Sequence, residues 1–577
     1  MKKKLVSLLL ILAMLLTLAA CGGNQENSAA SEAASSIESE AAEAPVEDAP
    51  AEEPPAEAET AEEAPESAAE EAEPAHVVEY PMTDEEITLS YWNLYMNNLV
   101  GYLDNYNDHY LNDAVAEQTG VRIEWHDISF ASATENFNLI VASGDYLDFM
   151  PVTKYYTGGL AKALDDGAII DLTDYLEEWA PDYLAAMSSG NTRKELSDDN
   201  GRVLQFYTIQ DQFMPVSGLT VRQDWLDELG MEVPTTIDEL YDALVAVKNN
   251  YPECKRPLYI DKEGKMNEIY GAFDTMALSM EIGMMAAEGV HIAVYQKDGV
   301  AMSGLQADGY REYLEFFNKV YEAGLTDPDF YIASDSGTSQ NANRSAGDQF
   351  IWYGNSDDFS TIEDASDDPD INVQAMAPIV KNEGDTYRYG EVHTYLGMQQ
   401  ASVMSTCEYP EYAIGFLNYF YSDEGKYIAN YGIEGDTFEF DENGEPHYTS
   451  VVLNDEVPTN VSMMMYSFSS IPTYNIRSRS FSAYLDKEIE AMEMWAEKST
   501  GEYVMPTMNF TTEESAEYAS IASDLYTYAC QTVLKFITGA TDITDDTWAE
   551  FQNALTDMGI DRCVELYQIA LDRYNAR

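Results

Sequence analysis

Aromatic and amide side chains follow two strand-like segments of this 577-residue chain, at places where a parallel sheet would gather them. Trp92, Asn93 and Tyr95 lie at the end of the segment ITLSYWNLYMNN, and Tyr155 and Tyr156 follow YLDFMPV. In open α/β sheets, ligands bind at the carboxyl ends of parallel strands. Ring faces and a few placed polar groups are what a concave small-molecule site uses. The pattern therefore predicts a noncovalent binding site at these strand ends, with core packing as the alternative for Trp92.

Three further side chains are candidates for the same site, each with a structural alternative. Asp145 follows Gly144 in a helix-to-strand turn, where it fits either a ligand contact or a cap of the turn. Arg222 follows the strand GLTV and stands out in a chain with few cations, but it also fits an ion pair with Asp224. Trp495 lies on a predicted helix near the end of the chain and offers either a stacking face or core packing.

Catalytic and metal-binding motifs are missing from the sequence. It has no G-x-S-x-G, no H-E-x-x-H and no G-x-x-x-x-G-K-[ST] segment, and its 104 acidic residues make any pair of neighbouring carboxylates uninformative. The six histidines show no ligand-like spacing, nor do the cysteines beyond Cys21, which are Cys254, Cys407, Cys530 and Cys563. We therefore predict no cofactor and no metal, and leave open whether a disulfide forms among these four cysteines.

The N-terminus has the layout of a secretory signal. Three lysines precede the 14-residue apolar run Leu5 to Leu18, which is followed by Ala19, Ala20 and Cys21. A helix needs about 20 apolar residues to span a bilayer, so this run is too short for a permanent membrane span. The string L-A-A-C resembles a bacterial lipobox. That resemblance implies cleavage after residue 20, lipid attachment to Cys21, and a protein held on the extracytoplasmic face of the cell membrane.

Residues 21–80 have the composition of a disordered acidic linker. From Gly22 to Tyr80 the chain carries 18 acidic residues and neither Lys nor Arg, so it lacks the apolar surface that ordering requires. The remainder, from Pro81, carries 86 acidic and 27 basic residues, within a formal net charge of −74 for the whole chain. The negative electrostatic field of such a chain repels nucleic acid and disfavours polyanionic ligands, while neutral or cationic ligands remain compatible with it.

Strand and helix signals alternate through the first part of this body. ITLSYWNLYMNN, VRIEWHDIS and YLDFMPV read as strands, and the helical stretches between them end at Gly120 and Gly144. Alternation of this kind predicts parallel strands with right-handed crossovers and an α/β fold. Thr236 and Glu239 predict a capping box, and residues 481–495 and 511–575 predict a helix-rich C-terminal end. Asn443-Gly444 predicts a hairpin turn.

Several segments, in order, resemble the family 1 extracellular solute-binding proteins of ABC importers, in particular the large lipoproteins of Gram-positive bacteria. They are ASGDYLDF, GAIIDLTDYL, VRQDWLDELGMEVPTTIDELYDAL, EYAIGFLNYFYSDEGKYIANYGIEGDTFEFDENGEP and, near the end, FITGATDITDDTWAEF with ALDRYN. The resemblance implies a bilobal periplasmic-binding-protein-like fold. It also implies a non-catalytic monomer that captures a solute, expected to be a carbohydrate or oligosaccharide, and presents it to permease subunits.

The resemblance also suggests boundaries. We expect a signal peptide at 1–20, the anchored linker at 21–80 and the solute-binding domain at 81–577. Within that domain the first lobe comprises about 81–214 and 380–450, and the second about 215–379 and 451–577. The chain would cross between lobes near Met214 to Leu219, near Pro378 and after about Ser450.

Four more candidates depend on that placement. The resemblance puts Trp352 and Tyr353, in the strand FIWYGN, on the second lobe facing the cleft, and His393 and Tyr395 near the return to the first lobe. Related proteins often carry a calcium loop after the helix PTTIDEL. Here that place reads NNYPECKRPLYIDKEGKM, which lacks alternating oxygen ligands, so we do not expect calcium there.

Two other classes of protein remain as alternatives. A secreted glycoside hydrolase would use paired carboxylates, which this composition cannot reveal. A surface binder or sensor with the same bilobal fold would differ from an importer component only in its partner.

Overall fold

The computed structural model describes residues 77–260, 293–332, 337–388, 390, 392, 395–454, 456–508 and 510–577, with backbone alone at 337–338 and 395–398. The chain divides into two units, Met1–Ala72 and Glu73–Arg577, and every described residue belongs to the second. The predicted signal, Cys21, most of the acidic linker and His393 lie outside the described residues. Val78 is buried and Tyr80 packs on Tyr419, so the fold includes these last residues of the segment assigned to the linker.

The strands, numbered along the chain, are short, and most of them pair with partners distant in sequence. They are β1 Ile87–Leu94, β2 Val121–Ile128, β3 Phe149–Met150, β4 Phe206–Gln210, β5 Ser217–Arg222, β6 Arg256–Leu258, β7 Val294–Lys297, β8 Val300–Ser303, β9 Gln349–Asn355, β10 Val373–Ala375, β11 Tyr395–Val403, β12 Phe438–Phe440, β13 Pro446–Tyr448 and β14 Tyr474–Asn475.

The larger sheet, here called the first sheet, has the strand order β14-β4-β11-β3-β1-β2. β1 pairs in parallel with β2 and with β3, which confirms the predicted β-α-β-α-β unit. β11 enters between β3 and β4 and is antiparallel to both. The sheet therefore takes its strands from four separate parts of the chain.

A second sheet has the order β10-β5-β9-β6. β5 is antiparallel to both β10 and β9, and β6 is parallel to β9. All four strands come from residues 217–375. Two hairpins complete the strand inventory of the described residues. One joins β7 to β8, and the other joins β12 to β13 around Asn443-Gly444, as predicted.

Helices cover the two sheets. The α-helices are Asn112–Thr119, Ala133–Ser143, Val152–Tyr155, Gly159–Asp165, Leu176–Trp179, Pro181–Ala186, Thr192–Leu196, Gln223–Leu229, Ile237–Asn250, Tyr310–Glu322, Gly337–Ser345, Asp358–Asp364, Pro410–Tyr419, Gly425–Tyr431, Thr459–Met465, Asp486–Lys498, Thr512–Ile537, Asp545–Asp557 and Ile560–Ala576. Short 3-10 helices occupy Asn97–Leu99, Tyr106–Asp108, Phe130–Ser132, Thr173–Tyr175, Gly304–Gln306 and Arg477–Ala483. No helix of the described residues is long and apolar enough to span a membrane.

Local sequence signals account for many of these helix ends. Gly120 and Gly144 end their helices with φ of 78° and 75°, a left-handed conformation that glycine adopts without steric cost. Thr236 and Glu239 form the predicted capping box. The helix expected from residue 481 begins instead at Asp486, because residues 477–483 wind as a 3-10 segment first.

Each sheet has its own apolar packing on both faces. In β1, Leu89 and Tyr91 pack into one cluster of the first sheet while Trp92 packs into the cluster on the opposite face, as alternation along a strand requires. The second sheet buries Leu219 and Ile351 against the C-terminal helices. Among the described residues, the apolar cores of the two sheets thus form separate clusters.

An ion-pair cluster links the last helix to the layer around the first sheet. Arg577 donates to Asp199 at 2.6 Å and to the carbonyl of Ser197 at 2.6 Å, and its side chain is only 5% exposed. Arg573 donates to the same Asp199 at 2.8 Å and to Glu514 at 2.6 Å. Because these arginines extend from a helix packed on the second sheet, the cluster fixes the two layers relative to each other.

His109 is a buried titratable group in the core of the first sheet. Its ring lies between Tyr106 and Phe468, with centroid distances of 4.7 and 5.0 Å. Nε2 is 3.3 Å from the carbonyl oxygen of Met464, and Nδ1 accepts from the backbone of Leu111 at 3.3 Å. Burial lowers the pKa of His109 to about 4, so the folded protein holds it neutral.

We predict that His109 makes the protein less stable as the pH falls from about 6.5 to about 4. In that window the unfolded chain binds a proton at this residue and the folded chain does not, so protonation favours unfolding. The difference of roughly 2.5 pKa units corresponds to about 3 kcal/mol. Urea unfolding of wild type and His109→Asn at pH 7, 5.5 and 4 measures it. The variant should show a flatter pH dependence than wild type, and equal slopes for the two proteins would contradict the prediction.

Candidate functional site

Three segments connect the two sheets, and they meet at one junction. Residues 211–216 lead from β4 to β5, residues 376–394 from β10 to β11, and residues 476–485 from β14 to the helix Asp486–Lys498. β4 and β14 are parallel neighbours, so both end at this junction. β5 begins there, and Ser217 donates to Asn355, the last residue of β9, at 2.6 Å. The carboxyl ends of β4, β14 and β9 therefore converge where the chain passes from one sheet to the other.

The residues predicted at the end of β1 are mostly occupied by structural contacts. Trp92 is 1% exposed, and its Nε1 donates to Asn136 at 2.7 Å. Asn93 is buried and donates to Asp127, its partner in the β1–β2 register, at 2.7 Å. Only Tyr95, half-buried with its hydroxyl donating to the carbonyl of Leu103, presents part of its surface. In this conformation the Trp92 ring serves as core packing.

The candidates after β3 lie nearer the surface. Asp145 is exposed, and its backbone N–H donates to the Ser143 hydroxyl at 3.2 Å, so its carboxylate does not cap the turn through any hydrogen bond of the described residues. Tyr155 is half-buried against Trp92 at a centroid distance of 5.3 Å. Tyr156 donates to Asp166 at 2.9 Å. Their contact with a ligand stays a prediction.

Arg222 forms the ion pair that the sequence left as its alternative. Its side chain is 2% exposed and donates to both carboxylate oxygens of Asp224, at 2.9 and 2.6 Å, and to Asp368 at 3.1 Å. Its guanidinium also stacks over the Trp225 ring at 4.4 Å. The N–H donors of this guanidinium are therefore bonded to carboxylates of the protein. Arg222 thus stabilises the second sheet and does not present these donors to solvent.

The aromatic candidates of the second sheet are also buried. Trp352 has no exposed surface and lies under the guanidinium of Arg344, 5.1 Å from its ring centre. Trp495 is 3% exposed, and its Nε1 donates to the carbonyl of Met376 at 3.2 Å. Tyr353 is half-buried and packs against the core of the second sheet. The backbone of Tyr395 pairs with Ile209 at the junction, which is where the return to the first sheet was expected.

Arg477 is the residue at the junction that the sequence did not single out. It lies two residues after the end of β14, and its backbone N–H donates to the carboxylate of Asp211 at 3.0 Å. Its side chain is half-buried and reaches the sulfur of Met492, 3.6 Å from Nη2, on the helix that follows the crossing. Its Nε is buried without a hydrogen-bond acceptor. A sequence pattern gives no signal for an unpaired donor, because pairing is decided by tertiary contacts.

Two further polar groups share this environment. Desolvation, ahead of the charge of Asp357, raises the pKa of Tyr484, and the charge of Arg477 acts in the opposite direction. Desolvation also raises the pKa of Asp357, with smaller contributions from Asp358 and Glu488. Burial lowers the pKa of the Arg477 guanidinium, which nevertheless stays charged at neutral pH. The junction thus holds one underpaired cation among carboxylates and a phenol, an arrangement suited to binding hydroxyl groups.

The segment after the helix Ile237–Asn250 and the β12–β13 hairpin make structural contacts with their polar side chains. After the helix Ile237–Asn250, Arg256 pairs with Asp348, and the described part of the segment ends at Ile260. In the β12–β13 hairpin, the Asp441 carboxylate accepts backbone N–H groups of Asn443 and Glu445, each at 2.8 Å. No cluster of three or more His, Cys, Asp or Glu side chains suited to a metal occurs among the described residues.

The comparisons with known proteins agree with this architecture. Residues 107–427, just over half of the chain, match the family described as bacterial extracellular solute-binding protein. The chain is 24% identical to Lipoprotein LipO of Bacillus subtilis strain 168 over 56% of its length and 63% of that protein. It is 22% identical to the polygalacturonan/rhamnogalacturonan-binding protein YtcQ of the same strain, over 55% and 60% of the two chains. The match thus spans about 60% of these curated relatives.

A solved structure extends the likeness to the whole fold. The Streptococcus pneumoniae ABC-transporter substrate-binding protein FusA, in complex with kestose, superposes with a TM-score of 0.65 at 17% identity, covering 85% of this chain and 99% of that one. The mixed α/β architecture with two sheets and three connecting segments is therefore a periplasmic-binding-protein-like fold, the fold of a class of non-catalytic solute receptors. The chain belongs to the bacterial extracellular solute-binding protein family.

We predict that Gly218, the second residue of β5, is required for packing at the junction. A Cβ there would overlap the Trp495 indole, which lies against the backbone at this position. Gly218→Ala should therefore destabilise the protein by about 1–3 kcal/mol. Urea unfolding followed by tryptophan fluorescence measures this, with Val216→Ala at the neighbouring exposed position as the control. Trp495→Leu should recover part of the loss in the double variant, since it frees space, and strictly additive effects would argue against the overlap.

Proposed function

We propose that this protein is the solute receptor of an ABC importer, which binds a carbohydrate or oligosaccharide between two lobes and presents it to membrane permease subunits. Family membership and the junction of strand ends between the two sheets support this proposal. A ligand held between two separately packed layers favours the conformation in which both contact it. Capture is then a shift in population that needs no bond to be made or broken.

The proposed lobes follow the two sheets. The first contains about 81–214 and 380–450, and the second about 215–379, as the sequence suggested. Because β14 pairs with β4 of the first sheet, we extend the first lobe to Asn475 and place the last crossing at 476–485. The second lobe then continues from Asp486 to the end of the chain, with Trp495 packed on the second sheet and Arg573 and Arg577 reaching back to the first.

A neutral sugar is the solute class that fits the charge of the chain. FusA was solved with kestose, and YtcQ is named for binding polygalacturonan and rhamnogalacturonan. The present chain carries a formal net charge of −74, and a field of that sign opposes the approach of polyuronates. We therefore favour a neutral oligosaccharide over an acidic one.

Attachment to the membrane is the second part of the proposal. The L-A-A-C string at Cys21 supports lipid modification, and the acidic segment after it supports a spacer between the anchor and the binding domain. LipO, a relative at 24% identity, is named as a lipoprotein. An anchored receptor stays near the permease at a high effective concentration.

We predict that neutral oligosaccharides stabilise the full chain, purified in detergent, in a thermal-shift screen. A ligand at 100 times its Kd adds about 2.7 kcal/mol to the free energy of unfolding, which gives a measurable rise in Tm. The panel should contain neutral oligosaccharides, oligogalacturonides and peptides. A shift with peptides alone would contradict the carbohydrate assignment. Release of shorter sugars from glycans by the purified protein would instead indicate a hydrolase.

We also predict that Cys21→Ser moves the protein from the membrane fraction to the culture medium or to the buffer used to wash the cells. A serine hydroxyl cannot replace the thiol that carries the lipid, and the described residues contain no helix able to span a membrane. Fractionation of cells expressing each form, followed by immunoblotting, measures the distribution. Cys407→Ser, a change at a half-buried cysteine of the folded body, is the matched control. Retention of Cys21→Ser in membranes would show that another feature holds the protein there.

A further inference from the structure

Arg477 differs from the other half-buried and buried arginines in what surrounds its guanidinium. Arg222, Arg256 and Arg573 each lie within hydrogen-bond distance of at least one carboxylate. Arg479, two residues further on, donates to the carbonyl of Asn430 at 3.2 Å and to the Ser467 hydroxyl at 2.8 Å. In the described part of the chain, Arg477 has no carboxylate within ion-pairing distance. Its donors reach the Tyr484 hydroxyl and the weak acceptor Met492, which are both uncharged groups.

An underpaired arginine in a half-buried place costs stability. A guanidinium has five N–H donors, and burying a charged donor without an acceptor carries the full penalty of desolvation. The Nε of Arg477 is in that condition. The contacts of Arg477 therefore do not explain its presence as a stabilising residue, and its position between the first sheet and the helix Asp486–Lys498 points to a partner from outside the protein.

The charged groups around Arg477 indicate whether the ligand is neutral or acidic. Asp211 follows β4, Asp357 follows β9, and Tyr484 interacts electrostatically with both Asp357 and Arg477. A carboxylate ligand such as a uronate would meet Arg477 together with the negative charges of these aspartates and of Glu488. A pair of neutral hydroxyls can accept from Arg477 and donate to Asp357 without adding charge.

We infer that Arg477 is the polar anchor of the binding site, donating hydrogen bonds to adjacent hydroxyl oxygens of a neutral sugar at the junction of the two sheets. The inference rests on the proposed function and adds to it a named residue and the neutrality of the ligand. It also assigns the crossing 476–485 a direct role in recognition. Because that crossing links the two layers, a ligand bound there contacts the part of the chain that must bend when they move.

Isothermal titration calorimetry on the full chain in detergent tests the inference, using a neutral oligosaccharide that stabilises wild type and its uronate counterpart. Arg477→Ala should weaken binding of the neutral sugar by about 10- to 100-fold, the range for hydrogen bonds to a charged group. Arg477→Lys should restore part of the affinity as a single point charge. Arg562→Ala, which breaks an exposed pair with Glu517 within the C-terminal helices, should bind as wild type does.

A readout without ligand separates recognition from folding. Since Arg477 has no compensating carboxylate among the described residues, Arg477→Ala should leave the Tm of the unliganded protein unchanged or raise it. A lowered unliganded Tm would mark Arg477 as structural and overturn the inference, as would unchanged affinity in Arg477→Ala or tighter wild-type binding of the uronate than of the neutral sugar. In these cases wild type still binds sugar and the proposed function stands. If wild type binds no sugar of the panel, the carbohydrate assignment itself fails and the inference falls with it.

Discussion

The three crossings between the sheets are the constraint on which the rest of the structure depends. The first sheet is assembled from distant parts of the chain, so β4, β11 and β14 can pair only if the chain leaves this sheet and returns to it. The returning and leaving segments must start and end at the same edge, because β4 and β14 run in parallel and β11 runs against them. That requirement brings strand ends, and the polar residues that follow them, into one small region.

The same constraint separates what is rigid from what can move. Apolar burial is completed within each layer, with Leu89 and Phe149 in one core and Leu219 and Ile351 in the other. Contacts between the layers are of a different kind, such as the Arg577–Asp199 ion pair. Arg577 is largely buried in this pair, so separating it from Asp199 costs several kcal/mol unless other partners replace the contact. The described contacts between the layers are thus polar, and any relative movement of the layers has to break or replace them.

Local signals in the sequence specified the secondary structure and the parallel unit well, whereas the burial of the site candidates depends on tertiary packing. Gly120, Gly144 and the Thr236–Glu239 box act through their own backbone, so a short window of sequence contains all the information needed. Trp92 and Trp352 were correctly placed on strands near the sheet edges, yet both are buried, because a large ring gains most by removing its surface from water. Whether a ring faces the core or a cleft depends on helices such as Ala133–Ser143, which come from elsewhere in the fold. Arg477 gave no signal in the sequence, because tertiary contacts also decide which hydrogen-bond donors are left without an acceptor.

In a chain with so many acidic residues, an arginine without a carboxylate partner needs an explanation. With few cations available, the arginines that stabilise the fold are drawn to carboxylates, and Arg222 with Asp224 and Arg573 with Glu514 are examples. An arginine left without a carboxylate in such a protein is not explained by scarcity of partners, since acidic side chains are abundant in the chain. The position of Arg477 is explained if Asp211 and Asp357 lie near enough to accept hydrogen bonds from a ligand. They must also lie too far from the guanidinium of Arg477 to form an ion pair with it. A site of that kind favours neutral ligands in two ways. The net negative charge of the molecule repels anions at long range. At short range, the junction offers a neutral polyol both hydrogen-bond donors and acceptors.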